Sequence, residues 1–142
     1  MKAKLGLLYL SVCLSLPMWA IEHTVKSPDG KIVVTISDEQ GKPTYTVNYL
    51  TDEFIHSSPL GLNTNIGDFT KGMALRENTT VNEIKENYSL ATIKQSKVDY
   101  QANEMVCTFE KEGKRIYDVI FRVSDKDVAF KYRMYPQRET RS

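Results

Sequence analysis

The chain has 142 residues, which is enough for one domain with a hydrophobic core and too few for two typical domains. It carries 19 Lys and Arg residues against 18 Asp and Glu residues, so its formal net charge is +1. Nucleic-acid-binding proteins need a basic excess to neutralise phosphates, and we therefore expect no nucleic-acid partner.

The first twenty residues have the layout of a secretory signal peptide. Lys2 and Lys4 precede an apolar run over residues 5–16, and Ala20 supplies a small residue at a plausible cleavage point. The competing interpretation is a membrane anchor, but a spanning helix needs about twenty apolar residues and this run is shorter. We expect a signal peptide over residues 1–20, export to the periplasm or beyond, no membrane attachment after cleavage, and one domain over residues 21–142.

Cys107 is the single cysteine that remains once a leader containing Cys13 is removed, so the mature chain cannot form an internal disulfide. It alternates with Met105 and Phe109, as residues on one face of a strand do. This pattern predicts a buried apolar thiol rather than a reactive one.

Turns and strands alternate from Ser27 to Leu62. The sequence Ser-Pro-Asp-Gly at 27–30 predicts a tight turn, and residues 31–37 then place apolar side chains on one face. A second turn over 38–43 leads to alternating residues at 44–49, so a hairpin is expected. Residues 52–56 extend into Ser58-Pro59, after which Gly61 is expected to bend the backbone and to leave Leu60 and Leu62 as apolar anchors.

The middle of the chain is less regular. Residues 63–73 predict a loop in which Ile66, Phe69 and Met73 turn inward. Residues 79–86 and 88–94 predict two strands joined at Asn87, with a helix over 83–90 as an open alternative.

Strands recur clearly in the last third. Residues 105–111 and 114–124 predict a hairpin around Glu112-Gly113, after a break at 99–103. Residues 127–135 follow as a further strand. The apolar faces of the last two strands comprise Tyr117, Val119, Phe121 and Val123, and then Val128, Phe130, Tyr132 and Met134. Many short strands with little helical periodicity predict an antiparallel sandwich or barrel.

The order of these pieces resembles the N-terminal β-sandwich domain of the glycoside hydrolase 97 family. The resemblance runs from about Val25 to Tyr132 and is carried by Ser27-Pro28-Asp29-Gly30-Lys31, residues 44–49, Ser58-Pro59-Leu60-Gly61-Leu62, and residues 121–123 and 128–132. The stretch over 79–94 departs from it. The resemblance implies an all-β, antiparallel β-sandwich, supersandwich-like as in galactose mutarotase-type domains, and incomplete at its C-terminus.

The resemblance also implies what the complete protein does. Family members hydrolyse α-glucosidic or α-galactosidic bonds with calcium, in a (β/α)8 barrel that this chain lacks. The expected partners are a carbohydrate, reached through the complete enzyme, and the missing barrel. The acid, the base and the calcium ligands are expected in or near the missing region, so no cofactor is expected here. The alternative function is a free-standing secreted β-sandwich that binds a glycan or a protein partner.

Glycoside hydrolysis uses two carboxylates that flank the scissile bond. Three pairs lie close in this sequence, each at a strand end or turn among other charges, which is typical of solvated surface: Glu83 with Glu86, Glu110 with Glu112, and Asp125 with Asp127. His23 and His56 have no Cys or second His at ligand spacing, so no zinc site is expected.

Tyrosine is the one abundant residue type that suits sugar binding. The tyrosines considered are Tyr45, Tyr49, Tyr88, Tyr100, Tyr117, Tyr132 and Tyr135. Most alternate as strand residues do, which favours packing within the sheets. The sequence therefore identifies no catalytic, cofactor-binding or metal residue, and the substrate-binding residues are unknown.

Overall fold

Residues 19–88 and 98–137 are described by the computed structural model, and they form an all-β fold. Two antiparallel sheets pack face to face, and the described residues contain no α-helix. The predicted antiparallel β-sandwich is confirmed. Residues 1–18 of the predicted leader (1–20) and residues 89–94 of the predicted strand 88–94 lie outside the described residues.

Eleven strands follow one another along the described chain. They are β1 (Glu22–Lys26), β2 (Ile32–Ser37), β3 (Thr44–Tyr49), β4 (Asp52–Pro59), β5 (Leu62–Thr64), β6 (Gly67–Phe69), β7 (Ala74–Leu75), β8 (Thr80–Tyr88), β9 (Val98–Lys111), β10 (Lys114–Ser124) and β11 (Val128–Met134). A short 3₁₀ turn, Glu39–Gly41, lies between β2 and β3.

The strands divide into two large sheets and one small hairpin. The first sheet has the order β1-β2-β3-β4. The second has the order β11-β10-β9, and β7 and β8 both pair with the other side of β9. Strands β5 and β6 pair only with each other among the described residues.

The core forms where the inward faces of the two sheets meet. Val34 and Ile36 on β2 are fully buried, as are Val119 and Phe121 on β10. Each alternates with residues on the opposite face, because successive side chains of a strand point to opposite sides. Burying one such side chain contributes about 1.5–3 kcal/mol, so these faces fix the register of the sheets.

The two sheets are offset, and this offset decides which faces stay uncovered. Strand β1 contacts β9, and β2 contacts β10. The ring of Tyr45 on β3 lies 5.4 Å from that of Phe130 on β11. Strand β4 therefore extends past β11, and β8 extends past β1 at the other end, where Val81 is 52% exposed.

Several strand limits differ from the prediction. Asn87 is not a turn but lies within β8, paired opposite Asp99. This pairing with β9 excludes the helical alternative up to Tyr88 and extends β9 back through the expected break at 99–103. Long-range pairing thus overrides a weak local pattern.

The predicted loop over 63–73 contains the hairpin β5–β6. Phe69 and Met73 are buried as predicted, but the prediction for Ile66 is wrong because its side chain is 56% exposed. Ile66 lies at the tip of the hairpin, where no second layer covers it.

Gly61 allows a close approach between chain segments. A Cβ atom at this position would lie 2.5 Å from the Cα atom of Thr70, which is closer than van der Waals contact permits. The residues on either side of Gly61 are anchored as predicted: Leu60 is fully buried and Leu62 packs against the core. Gly61 is therefore needed for this approach and does more than bend the backbone.

Candidate functional site

The first carboxylate pair is not assembled for catalysis. Glu83 and Glu86 are three residues apart on β8 and so point to opposite faces of the sheet. Glu83 lies 3.1 Å from Lys85 Nζ and accepts a hydrogen bond from Gln101. The hydrogen bond from Lys85, followed by that from Gln101, lowers the pKa of Glu83, whereas a glycosidase acid needs a raised pKa.

The second pair is likewise engaged in structure. Glu110 forms an ion pair with Arg76 at 3.2 Å, and that arginine tethers the end of β7 to β9. Glu112 occupies the β9–β10 turn with φ 52° and is exposed. A turn residue followed by Gly113 at φ 76° is the hairpin geometry that the sequence predicted.

The third pair, Asp125 and Asp127, stabilises two turns through hydrogen bonds. Asp125 accepts a hydrogen bond from the backbone of Asp29 at 2.8 Å, which joins the β1–β2 turn to the β10–β11 turn. Asp127 accepts a hydrogen bond from the hydroxyl of Ser124 at 2.6 Å within its own turn. None of the three pairs therefore forms a catalytic pair.

The described residues do not fit a metal ion. They contain no group of three His, Cys, Asp or Glu side chains placed to hold one. A ring nitrogen of His23 lies 2.7 Å from the carbonyl oxygen of Arg76, while His56 lies beside Glu53 on the exposed face of β4. Calcium takes six to eight oxygen ligands, often including several carboxylates, and the described ranges hold no cluster of acidic side chains that would supply them.

Three of the described tyrosines are packing residues. Tyr45 lies against Phe121 and Phe130, and Tyr117 and Tyr132 contact each other edge to face. Tyr135 donates a hydrogen bond to a buried carboxylate. Tyr49, by contrast, is 45% exposed. The predicted packing is confirmed for Tyr45, Tyr117 and Tyr132.

The described residues hold one fully buried carboxylate, Asp118, on the outward face of β10. Its cross-strand neighbours Thr108 and Arg133, together with Tyr135, donate hydrogen bonds to it. Burial alone would raise the pKa of Asp118, but the donors from Thr108, Arg133 and Tyr135 outweigh it and hold that pKa below 3.8. We call these four residues the Asp118 cluster.

The sequence analysis did not find the Asp118 cluster. The sequence feature that could have indicated it is an acid in the middle of the apolar stretch 116–121, because a charge there must be paired to be buried. No buried side-chain polar atom of the cluster lacks a hydrogen-bond partner. The cluster therefore fixes β9, β10 and β11 in register, and its one largely exposed member is Arg133.

Cys107 is fully buried on the inward face of β9. Burial raises the pKa of its thiol to about 11, against a weaker opposing effect of the Thr79 hydroxyl. The prediction of an inert, apolar thiol is confirmed, because the nucleophilic form of cysteine is the thiolate.

An uncovered apolar surface is the feature of this fold that best suits an interaction. Strand β4 pairs only with β3, and β11 only with β10, in the part of the chain that the structure describes. We define the open side as four exposed side chains beside these two edges: Tyr49, Phe54, Phe130 and Met134, with exposed fractions of 45%, 77%, 40% and 39%.

A cleft at one end of the open side has a volume of about 390 Å³. The pairing of β3 with β4 shifts register between Val47 and Asn48, and both Phe54 and Ile55 line the cleft. Val128 at the start of β11 forms its opposite wall together with the charged turn 125–127. The cleft opens from the core between the two sheets to the surface, and most of its lining is apolar.

Comparison with known proteins identifies the kind of domain. A family model described as "Glycosyl-hydrolase 97 N-terminal" matches residues 25–141, most of the chain. The chain belongs to the glycosyl-hydrolase 97 N-terminal family. The resemblance noted in the sequence, from about Val25 to Tyr132, is thereby confirmed.

Solved structures of the family share the fold. A β-arabinopyranosidase crystal structure is 44% identical with a TM-score of 0.73 over 81% of this chain. A family 97 enzyme from Pseudoalteromonas sp. strain K8, solved with panose and also with acarbose, is 29% identical with a TM-score of 0.74 over the same share. The chain covers 18% of each of these proteins.

A curated relative points to the same family. A "Probable retaining alpha-galactosidase" from Streptomyces bingchenggensis (strain BCW-1) is 35% identical over 80 residues, which is 55% of this chain and 12% of that protein. The chain therefore spans less than a fifth of the length of these relatives. None of the described residues forms a helix long and apolar enough to cross a membrane.

Proposed function

We propose that this chain is the non-catalytic N-terminal scaffold of an exported glycoside hydrolase 97 enzyme. Its role is to pack against the remainder of that enzyme, whose barrel carries the reacting carboxylates and the calcium site. The observation that supports this proposal is the open side, a strip of apolar side chains beside the edges of β4 and β11, which have no further strand partner among the described residues. Edges and faces of this kind are covered in stable proteins, because they otherwise pair with other chains.

The offset of the two sheets indicates how the open side is covered. A strand added beside β11 would lie over β4, where Ile55 packs at the margin of the core. It would also shield the exposed parts of Phe130 and Met134 on β11, of which Phe130 contacts the facing sheet through Tyr45 on β3. One further strand from the rest of the enzyme thus satisfies the backbone edge of β11 and covers the apolar strip.

The relatives favour one of the two expected substrate classes. The parent enzyme is proposed to hydrolyse α-glucosidic or α-galactosidic bonds, and the more similar relatives are the β-arabinopyranosidase and the α-galactosidase, at 44% and 35% identity. A β-L-arabinopyranoside has the ring configuration of an α-D-galactopyranoside without its exocyclic hydroxymethyl group. We therefore propose that the parent enzyme hydrolyses α-galactosides or sugars of the same ring configuration, and that its barrel makes the carbohydrate contacts.

Export is the remaining part of the proposal. The basic start, the apolar run over 5–16 and Ala20 support secretion with removal of residues 1–20. A periplasmic location places the domain where oligosaccharides reach the parent enzyme. The mature chain, with its single buried Cys107, relies on packing instead of disulfides there.

A domain exchange tests the scaffold role. Residues 21–142 replace the corresponding segment of the β-arabinopyranosidase, and hydrolysis of nitrophenyl β-L-arabinopyranoside, α-galactoside and α-glucoside is measured. We expect the exchanged enzyme to be active and the isolated chain to be inactive on all three. Robust turnover by the isolated chain would overturn the proposal.

Variants of the exchanged enzyme locate the interface. Phe54→Lys and Met134→Lys place a charge on the open side and are expected to reduce soluble active enzyme at least tenfold, because a charge that becomes buried without a partner in the complete enzyme is costly. Val81→Lys is the matched control, since Val81 is also an exposed apolar strand residue but lies at the opposite end of the sandwich. Equal effects at the two ends would exclude the open side as the interface. Sugar binding by the isolated chain in calorimetry would favour the free-standing alternative.

A further inference from the structure

Asp38 joins three segments of the chain through its carboxylate and backbone. Its Oδ1 atom accepts a hydrogen bond from the backbone nitrogen of Ile21 at 2.8 Å, and its Oδ2 atom accepts one from that of Leu75 at 2.9 Å. Its own backbone nitrogen lies 3.4 Å from the carbonyl oxygen of Ile21. Asp38 thereby connects the start of β1, in the first sheet, to β7 in the second.

Among the described residues at the start of the chain, Ile21 is the first that packs against the core. Trp19 is 86% exposed and Ala20 is also exposed, while Ile21 is half-buried and packs against the hydrophobic core. Trp19 and Ala20 lie along a shallow surface depression beside Met73. The bond between Ala20 and Ile21 therefore separates two exposed residues from one that packs against the core.

Cleavage of this bond changes the donor that faces Asp38. Hydrolysis by a leader peptidase adds water across the Ala20–Ile21 peptide bond: the C–N bond breaks, Ala20 leaves with the carboxylate, and Ile21 keeps the amine. An α-amino group has a pKa of about 7.7–8.0, so it binds a proton at neutral pH. The neutral N–H at Asp38 Oδ1 becomes an α-ammonium.

We propose that removal of residues 1–20 creates an ion pair between the α-ammonium of Ile21 and the carboxylate of Asp38, which locks β1 onto β7. This inference rests on the export in the proposed function, and it assigns the Ala20–Ile21 bond as the processing site. The carboxylate already lies at hydrogen-bond distance from the nitrogen that becomes charged, so no rearrangement is required.

The surroundings favour a positive charge at this point. The 3₁₀ turn after Asp38 contributes Glu39, a second carboxylate, and the depression is lined by no cationic side chain that would compete with the α-ammonium. Charge-assisted hydrogen bonds are about twice as strong as neutral ones. The mature N-terminus thus gains a stronger contact than the same nitrogen makes within an uncleaved chain.

Four shortened chains, which differ in their first residue and at position 38, test the ion pair. Chains that begin at Ile21 or at Trp19 are each made with Asp38 or with Asp38→Asn, using tags whose removal leaves no extra residue. A start at Trp19 keeps the nitrogen of Ile21 as an amide and is the matched control for charge. The unfolding equilibrium constant is measured in denaturant.

With Asp38 present, we expect the Ile21 start to lower the unfolding equilibrium constant about 5–10-fold relative to the Trp19 start. With Asp38→Asn, the difference falls below about 2-fold, because the charged partner is gone. Asp52→Asn, at an exposed position on β4, leaves the 5–10-fold difference in place. The same ratio in Asp38 and Asp38→Asn chains would overturn the ion pair.

Two further measurements distinguish a failure of the ion pair from a failure of the processing site or of the proposed export. Hydrogen exchange of the Leu75 amide, which donates to the same carboxylate, is expected to slow by a similar factor in the Ile21 chain, and this readout does not depend on reversible unfolding. The mass of the product exported from a bacterium expressing residues 1–142 is expected to start at Ile21. Another start overturns the processing site, whereas retention in the cytoplasm with the leader intact overturns the export in the proposed function.

Discussion

Tyr117 on β10 and Tyr132 on β11 donate their hydroxyl groups to the same acceptor, the carbonyl oxygen of Leu60, at 3.3 and 3.1 Å. Their rings contact edge to face with centroids 5.6 Å apart. Leu60 is fully buried, so water does not replace these donors. The two tyrosines thereby hold the segment between β4 and β5 against the second sheet.

The shared acceptor predicts a non-additive effect. Tyr117→Phe or Tyr132→Phe alone should lower the free energy of unfolding by about 0.5–1.5 kcal/mol, since one donor remains for the Leu60 carbonyl. The double variant should lose more than the sum, because the carbonyl then has neither donor. Denaturant unfolding of the four proteins measures this, with Tyr49→Phe at an exposed position as control. Additive losses would contradict a shared acceptor.

The Asp118 cluster predicts a pH dependence of stability. Because the folded-state pKa of Asp118 lies below its unfolded value, the carboxylate stabilises the fold above the unfolded pKa, and this stabilisation is lost as pH falls through the folded pKa. Asp118→Asn should therefore weaken the dependence of unfolding free energy on pH between about pH 5 and pH 2. It should also cost about 1.5–3 kcal/mol at pH 7, the range for hydrogen bonds to a charged group.

The titration of the Asp118 variant needs a control for loss of charge. Asp52→Asn removes an acid from the exposed start of β4. An unchanged acid dependence in Asp118→Asn, relative to this control, would show that the cluster does not govern acid unfolding.

Burial of Cys107 predicts that its thiol is protected in the folded chain. With a pKa of about 11 and no exposed surface, it should not react with iodoacetamide at pH 8, and it should be alkylated once denaturant unfolds the domain. Intact mass against time, in a chain that begins at Ile21, measures the reaction. Equal rates in folded and unfolded protein would contradict the buried position.

Gly61 predicts a steric penalty. Gly61→Ala should lower the free energy of unfolding by about 1–3 kcal/mol, because the new methyl group would overlap the backbone of Thr70. Gly30→Ala is a useful comparison: that position has φ 76° but no atom within 4 Å, so its cost should be about 1 kcal/mol and purely conformational. Thermal melting of both variants distinguishes crowding from backbone strain.

Leu50 predicts a gain in stability. It forms the turn between β3 and β4 with φ 56°, a conformation that an aliphatic residue adopts at a cost, and its side chain is 60% exposed. Leu50→Gly should raise the free energy of unfolding by about 0.5–1 kcal/mol, since glycine is favoured at such hairpin positions. Leu50→Ala keeps the penalty and should bring no gain. A loss of stability in the glycine variant would contradict this reading of the turn.

Much of the fold was predictable because one buried sheet face imposes a period of two. The alternation at 31–37 and at 114–124 predicted β2 and β10 almost to their ends, and Glu112-Gly113 predicted the hairpin turn. Prediction failed where local pattern was weak. The stretch from Thr80 to Tyr88 is polar and mostly exposed, and it is a strand because β9 offers it a backbone partner.

The site residues were harder to predict, since they depend on contacts between strands distant in sequence. The three carboxylate pairs were expected on the solvated surface, where five of the six side chains lie, while Glu110 is partly buried beside Arg76. Asp118 was missed, because its burial requires Thr108 and Arg133 to be its neighbours on two other strands. The contact between Asp38 and Ile21 is likewise invisible until β1 and β2 are paired.

The sequence by itself determined that this chain is an all-β domain with a neutral charge balance, a buried thiol at Cys107 and a resemblance to one enzyme family. These properties follow from composition, alternation and the order of short motifs, which are local quantities. Only the tertiary structure decided that the sheets are offset, so that β4 and β11 leave an open side. The physical reason is that an offset is a relation between two sheets, and it depends on which strands face each other across the core.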